Sequence, residues 1–169
     1  MIEPVQVEGG GYDFYLPSSS VLSVETRFFQ STPEKTLTIP STAARVITVG
    51  AYDTYTEAYA DFSGRGRNMP PSSVNIKPDF VAPGVNIKTL SPGNVPVAVS
   101  GTSFATPFAS GSAALLMEWG IVRENDPFLY GEKVKAYLRR GARTLRSESV
   151  YPNNRVGWGA LCLARSLPD

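Results

Sequence analysis

The run of small residues from 105 to 114 constrains the fold of this 169-residue chain more than any other feature. It reads Ala-Thr-Pro-Phe-Ala-Ser-Gly-Ser-Ala-Ala and leads directly into Leu-Leu-Met. Because this stretch is rich in alanine and carries no charge, it predicts a helix from about Ser103 to Trp119 without a strongly polar face. Such a helix needs cover from neighbouring elements, and its small side chains let them approach closely. We therefore expect a helix buried inside a layered fold and ended by Gly120.

Short hydrophobic runs predict the other elements of the fold. Residues 45–52, Arg-Val-Ile-Thr-Val-Gly-Ala-Tyr, form a nearly continuous β-branched stretch, as in a strand that is buried on both faces. Two shorter strands are predicted at 79–82 and 97–100, and a second helix at 131–140. Strands that alternate with helices indicate an α/β architecture.

The second predicted helix is amphipathic. Its apolar positions are Val134, Tyr137 and Leu138. The opposite face carries four cations, at Lys133, Lys135, Arg139 and Arg140. Since basic side chains on an amphipathic helix normally face water, we expect this face to be solvated and not to bind nucleic acid.

Residues 1–37 have a different character from the rest of the chain. The run Tyr12–Leu16 predicts a short strand, and Thr36–Ile39 alternates polar and apolar residues as a second strand would. This pattern is typical of the end of a β-rich module. We therefore predict two domains, at 1–37 and 38–169.

Composition argues against several classes of function. A net charge of +1 gives no broad attraction for nucleic acid or for an anionic membrane, and no stretch is long and apolar enough to cross a bilayer. We expect neither partner, find no signal segment and assign no cellular location from composition. Cys162 is the only cysteine, so an internal disulfide and a cysteine-based metal site are excluded. No cofactor or metal is expected. The chain also contains no histidine, so a hydrolytic site would need its base from elsewhere.

Ser103 follows a predicted strand and Gly101, and it lies in the first turn of the predicted helix. The N-terminus of a helix offers unpaired N–H groups and the positive end of the helix dipole. That field stabilises negative charge on a serine oxygen or on a nearby oxyanion, so the position suits a nucleophile. Alternatively, Thr102 or Ser103 merely caps the helix, and local physics leaves both interpretations open.

A longer pattern favours the nucleophile. Residues 101–107, Gly-Thr-Ser-Phe-Ala-Thr-Pro, match the Gly-Thr-Ser-x-Ala-x-Pro signature of the subtilisin-like serine proteases, peptidase family S8. Four other segments resemble the same family in the same order: the strand at 46–51, a Phe-Ser-x-x-Gly loop at 62–66, a Pro-Asp-x-x-Ala-Pro-Gly segment at 78–84 and a Gly-x-Gly-x-Leu segment at 157–161. The resemblance covers roughly residues 38–167.

The resemblance implies a serine endopeptidase that cleaves protein or peptide substrates through an acyl-enzyme on Ser103. It implies an oxyanion hole in which the Ser103 N–H is assisted by the Thr102 hydroxyl. It also implies an α/β fold, the C-terminal part of a subtilisin-like parallel-sheet domain with three layers. Phe62, Pro83 and Leu90 are expected to serve core or turn packing. Asp79 is expected to be structural and not the acid of a catalytic triad.

A narrower similarity is carried by residues 12–17, 36–40 and 117–122, which read Tyr-Asp-Phe-Tyr-Leu-Pro, Thr-Leu-Thr-Ile-Pro and Met-Glu-Trp-Gly-Ile-Val. These segments resemble the clostridial branch that includes the spore-germination proteases. Those proteins carry a jelly-roll insertion, so residues 1–37 would be the tail of that insertion. The resemblance also implies association with the spore.

The sequence lacks the other catalytic residues of the family. The family order is Asp, then His, then Ser, with an oxyanion-hole Asn between His and Ser. The segments that carry the Asp, the His and the Asn are absent here. A Ser–Lys dyad with Lys77 or Lys88 has no precedent in the family. We therefore expect a fragment that is inactive alone and that binds the missing N-terminal half, or itself, through an open sheet edge. The alternative is a non-catalytic pseudoprotease or a regulatory protein-binding module with the same fold.

Overall fold

The structure is a computed structural model that describes residues 12–17 and 21–168. The chain forms two compact units, residues 1–32 and 33–169. No β-strand lies among the described residues of the first unit, so the strand predicted at Tyr12–Leu16 is wrong. The strand predicted at Thr36–Ile39 is also not formed. The jelly-roll tail and the domain boundary after residue 37 remain predictions.

A three-stranded sheet forms the centre of the second unit. Strand β1 (Val49–Asp53) pairs in parallel with β3 (Phe80–Pro83), with Val49 opposite Phe80. The short strand β2 (Ala58–Tyr59) is antiparallel to β1. The chain at 159–161 runs beside β3, since the Val81 N–H donates to the Gly159 carbonyl over 2.9 Å. The predicted strands at 45–52 and 79–82 thus correspond to β1 and β3, although β1 begins only at Val49.

A separate hairpin follows the sheet. Strands β4 (Ile87–Ser91) and β5 (Val95–Val99) are antiparallel and enclose a tight turn at 92–94. Leu90 is 62% exposed, so its predicted packing role is wrong. A two-stranded ribbon without a covering layer leaves its side chains in water on both faces.

Three α-helices lie in the described part of the unit, residues 33–168. Helix α1 (Thr102–Met117) is followed by a π-helical turn, Glu118–Val122, and then by α2 (Gly131–Arg140) and α3 (Leu163–Ser166). Gly120 therefore does not end the helical segment as predicted. It is buried inside the π turn, where a β-carbon would come within 2.7 Å of the Leu129 side chain. Close packing explains this glycine better than a C-cap does.

The two faces of the sheet carry different cores. On one face Phe80 packs with Leu116 of α1 and Leu138 of α2, and all three are completely buried. On the other face the neighbouring residue Val81 packs with the C-terminal segment around Val156. This division follows from strand geometry, because successive side chains point to opposite faces.

Helix α1 is covered on one side only. Ala105, Ala109 and Leu116 are buried against the sheet. An apolar face of the same helical segment is exposed, made by Phe108 (43%), Leu115 (54%) and Val122 (74%), which are spaced seven residues apart. The prediction that this helix is buried throughout is therefore wrong for the described part of the chain. We call Phe108, Leu115 and Val122 the open face of α1.

Two glycines offer a matched test of this fold. Apart from the chain neighbours and the backbone of α1 itself, no described atom lies within 4 Å of a β-carbon built at Gly111, so Gly111→Ala should raise the free energy of unfolding by about 1 kcal/mol through helix propensity. Gly157 has a φ of 57°, and a β-carbon there would clash with the Pro78 and Asp79 carbonyls. Gly157→Ala should lower the free energy of unfolding by about 1–3 kcal/mol. Urea unfolding measures both, and a destabilised Gly111→Ala variant would contradict this description of α1.

Candidate active site

Ser103 lies in the first turn of α1 and is exposed. Gly101 is the N-cap residue, and no side chain forms a cap hydrogen bond at this end. The alternative that Thr102 or Ser103 caps the helix is therefore not what the structure contains. Within the described part of the chain, no residue forms a hydrogen bond with the Ser103 hydroxyl. Because the first N–H groups of a helix have no intrahelical partner, this oxygen lies beside free amide donors.

Two glycines hold this turn against the sheet. The Gly101 N–H donates to the Gly84 carbonyl over 2.8 Å, immediately after β3. Gly101 has a φ of 154°, and a β-carbon at Gly84 would approach that of Ala51 to 2.6 Å. Larger residues would push the start of α1 away from the carboxyl end of β3. The sequence thus fixes Ser103 at the end of the sheet where active sites of open α/β folds lie.

A cleft of about 570 Å³ opens beside Ser103. Four segments line it: the turn at 33–41, the start of β1 at 47–50, the loop at 61–65 and the first turn of α1. Phe62 lies in a turn, as one of the two predicted roles requires, but it is 53% exposed and faces this cleft, so the alternative of core packing is wrong. The cleft is large enough for several side chains of a bound peptide.

Hydrogen bonds to β1 and β2 hold the loop that carries Phe62 in place. Ser63 is buried, and its hydroxyl accepts a hydrogen bond from the Ala51 N–H over 2.9 Å. The Tyr59 hydroxyl donates to the Ser63 carbonyl. These bonds fix one wall of the cleft to β1 and β2.

Asp79 is completely buried and directly precedes β3. Its Oδ2 accepts hydrogen bonds from the Thr48 N–H (2.6 Å) and from Lys77 Nζ (2.9 Å). Its Oδ1 accepts from Arg139 Nε (2.8 Å) and lies 3.2 Å from Lys135 Nζ. All acceptor positions of the carboxylate are used by these groups, so Asp79 joins β1, β3 and α2.

The prediction that the basic face of α2 is solvated is wrong for the two cations that contact Asp79. The side chains of Lys135 and Arg139 are only 9% and 18% exposed, although the helical pattern predicts that they are solvated. Arg139 also stacks on Trp158, with 4.2 Å between its Cζ atom and the ring centroid. The buried carboxylate draws both side chains inward, because an unpaired buried charge is costly.

Lys77 belongs to the same buried cluster. Its ammonium donates to the Val46 carbonyl over 2.6 Å and to Thr48 Oγ1 over 3.1 Å, besides Asp79. Burial lowers the pKa of Lys77 below its ordinary value, against the opposing effect of the Asp79 carboxylate. The ammonium is thus held by three oxygens and is not directed at Ser103 as a dyad would require.

Other groups that support catalysis are sparse in this chain. The sequence has no histidine, and the described residues contain no group of three or more His, Cys, Asp or Glu that could hold a metal ion.

Across residues 12–17 and 21–168, the structure has no helix that is long and apolar enough to span a membrane.

Sequence reasoning missed one group of cleft residues. Leu37 and Thr38 of the turn at 33–41 line the cleft with Ser103, although the sequence pattern places the boundary between a β-rich module and the catalytic part at these residues. No local pattern carries this information, because the residues are brought together only by tertiary structure.

Comparison with known proteins defines the class. The sequence model of the Peptidase_S8 subtilase family matches residues 23–159, so the chain belongs to the subtilase family. It is 34% identical over 154 residues to the serine protease AprX of Bacillus subtilis. The aligned region covers 79% of this chain and 32% of AprX. It is 31% identical over 120 residues to subtilisin Savinase of Lederbergia lenta, covering 71% of this chain and 39% of that protein. The chain thus spans about a third of the length of these relatives.

Solved structures agree with the family. The Clostridium perfringens CspB protease is 48% identical, with a TM-score of 0.75 over 83% of this chain and 29% of that structure. The patellamide maturation protease PatA is 30% identical, with a TM-score of 0.63 over 79% of this chain and 46% of that structure. The predicted family and α/β fold class are confirmed, and the similarity to CspB supports the predicted clostridial branch.

Proposed function

We propose that this chain supplies the nucleophile of a subtilisin-like serine endopeptidase and is active only with a second segment that supplies histidine and aspartate. The observation that carries the proposal is Ser103, exposed at an uncapped helix N-terminus beside an open cleft. The absence of histidine from the chain supports the requirement for a second segment.

The chemistry follows from the position of Ser103. Its Oγ attacks the scissile carbonyl carbon, and its proton passes to the histidine of the second segment. The Ser103 N–H, assisted by the Thr102 hydroxyl and the dipole of α1, stabilises the oxyanion. Collapse of this intermediate releases the amine, which takes the proton from histidine and leaves an acyl-enzyme. Water, deprotonated by the same histidine, then frees the carboxylic acid and restores Ser103.

Without that histidine, Ser103 is a weak nucleophile. A serine hydroxyl is almost fully protonated at neutral pH, and loss of the base from a Ser–His pair costs on the order of a millionfold in turnover. We therefore infer that the chain alone is inactive.

The open face of α1 is where the second segment would bind. Its exposed apolar residues need cover, because an apolar patch of this kind marks an interaction surface. A second copy of the chain is the other occupant that such a face would accept. Protein or peptide substrates follow from the family, and the clostridial similarity is the basis for proposing a spore location.

The test compares the chain alone with the complemented protein. By complemented protein we mean the chain co-expressed with an Asp- and His-bearing half, either encoded next to it or taken from the CspB protease. Light scattering should show a one-to-one complex, and only this complex should hydrolyse an unfolded protein such as casein. The proposal would be contradicted if the chain stayed monomeric in the presence of the added half, or if the complex formed but showed no turnover.

A second function is favoured by the missing histidine. A pseudoprotease or regulatory module would bind the same partners through the same face without needing a base. It predicts complex formation with neither turnover nor reaction of Ser103 with a fluorophosphonate, so these two readouts separate the candidates.

A further inference from the structure

Two walls of the cleft beside Ser103 are joined by a short ladder of hydrogen bonds. The Thr36 N–H donates to the Arg65 carbonyl over 2.8 Å, and the Arg65 N–H donates to Thr36 Oγ1 over 2.9 Å. The Lys35 N–H donates to the Gly66 carbonyl over 3.2 Å. The turn at 33–41 is therefore fixed to the loop at 61–66 at the base of the cleft.

The Arg65 side chain reinforces this ladder. Its guanidinium lies 3.7 Å from the Glu34 carboxylate and 5.3 Å from the centre of the Tyr59 ring, and the side chain is 22% exposed. It thus bridges the turn that carries Glu34 and the β2 residue Tyr59. An isolated ion pair near the surface contributes little, but a planar guanidinium binds a carboxylate and an aromatic face together.

A third segment closes the arrangement. The Asn154 side-chain amide donates to the Glu34 carboxylate, and the Gly66 N–H donates to the Asn154 carbonyl over 2.8 Å. The two walls also lie in close contact, since a β-carbon at Gly64 would come within 3.1 Å of the Thr36 carbonyl. The width of the cleft is therefore set by residues that do not touch Ser103.

We propose that Arg65 is a positioning residue for the substrate: by holding the turn at 33–41 against the loop at 61–66, it sets the width of the cleft beside Ser103. This inference rests on the proposed function. Arg65 acts on the binding of the peptide chain and leaves the chemistry at Ser103 unchanged, because its contacts are with Glu34, Tyr59 and the ladder.

The test uses the complemented protein and separates binding from chemistry. Arg65→Met should raise KM for a peptide substrate about fivefold to tenfold, while kcat and the rate of Ser103 labelling by a small fluorophosphonate stay within about twofold. Arg65→Lys should give a smaller rise in KM, since an ammonium retains the ion pair without the planar stacking. The control is Arg67→Met, an exposed arginine two residues away, which should match the wild type.

A second variant, at Glu34, separates loss of the contact between Arg65 and Glu34 from misfolding of the Arg65 variants. Glu34→Gln removes the charge but retains a group that can bind the Asn154 amide, and it should raise KM in the same direction and by less. An unchanged KM in both variants, or a fall in labelling that parallels the rise in KM, would overturn the positioning role. If the wild-type complemented protein itself is neither labelled nor active, the proposed function is wrong and this inference falls with it.

Discussion

Ser103→Ala in the complemented protein is expected to reduce peptide turnover on the order of a millionfold. The variant keeps the fold of α1, because alanine is a good helix former and the Ser103 hydroxyl makes no hydrogen bond within the described chain. What it removes is the oxygen that forms the acyl-enzyme. Initial rates with a fluorogenic peptide, normalised to the amount of complex, measure the loss.

The matched control for this loss is Ser110→Ala. Ser110 is an exposed serine of the same helix, and its replacement should leave turnover unchanged. Comparable activity in the two variants would show that Ser103 is not the nucleophile.

The second large effect is expected for stability. Asp79→Asn removes the carboxylate charge with which Lys77, Lys135 and Arg139 pair, and it leaves those cations without this compensation in a buried site. Breaking a buried ion pair by removing one partner costs about 3–5 kcal/mol, which is a large part of the stability of an average domain. Urea unfolding followed by tryptophan fluorescence should show this decrease, or an unfolded chain.

Asp126→Asn provides the comparison. Asp126 also pairs with a lysine of α2, Lys133, but the lysine side chain is 40% exposed. Such a pair contributes about 1 kcal/mol or less, so the variant should be close to the wild type in stability. Equal losses in the two variants would mean that burial of the Asp79 cluster does not matter.

Local patterns predict the elements around Ser103, because each depends on residues that are close in sequence. Helix α2 begins and ends where its apolar spacing predicts, at Gly131 and Arg140. The signature at 101–107 places Ser103 in the first turn of α1, as the structure does. The β-branched run before Tyr52 likewise predicts the strand that lies at the centre of the sheet.

Features that depend on distant residues were not predictable in this way. Helical spacing puts Arg139 opposite Val134, but it cannot reveal a buried carboxylate 60 residues earlier in the chain. The small residues of α1 predict that the helix needs cover on every side. They do not say whether the covering segment belongs to this chain, and the described residues leave Leu115 and Val122 exposed.

The cleft shows the same limit. Phe62 is hydrophobic and follows a buried strand, so its pattern is that of a core residue, yet it faces the cleft beside Ser103. The turn at 33–41 reaches the same cleft through its pairing with Arg65. Only the tertiary structure identifies these residues as neighbours of the nucleophile.

Covalent labelling of Ser103 by a fluorophosphonate is the most direct test of the central claim. The adduct is located by mass spectrometry after digestion, in the chain alone and in the complemented protein. We predict that the complemented protein is labelled at Ser103 on the order of a thousandfold faster, or more, than the chain alone. Equal labelling in the two states, or an adduct at any other serine of the complemented protein, would contradict the account.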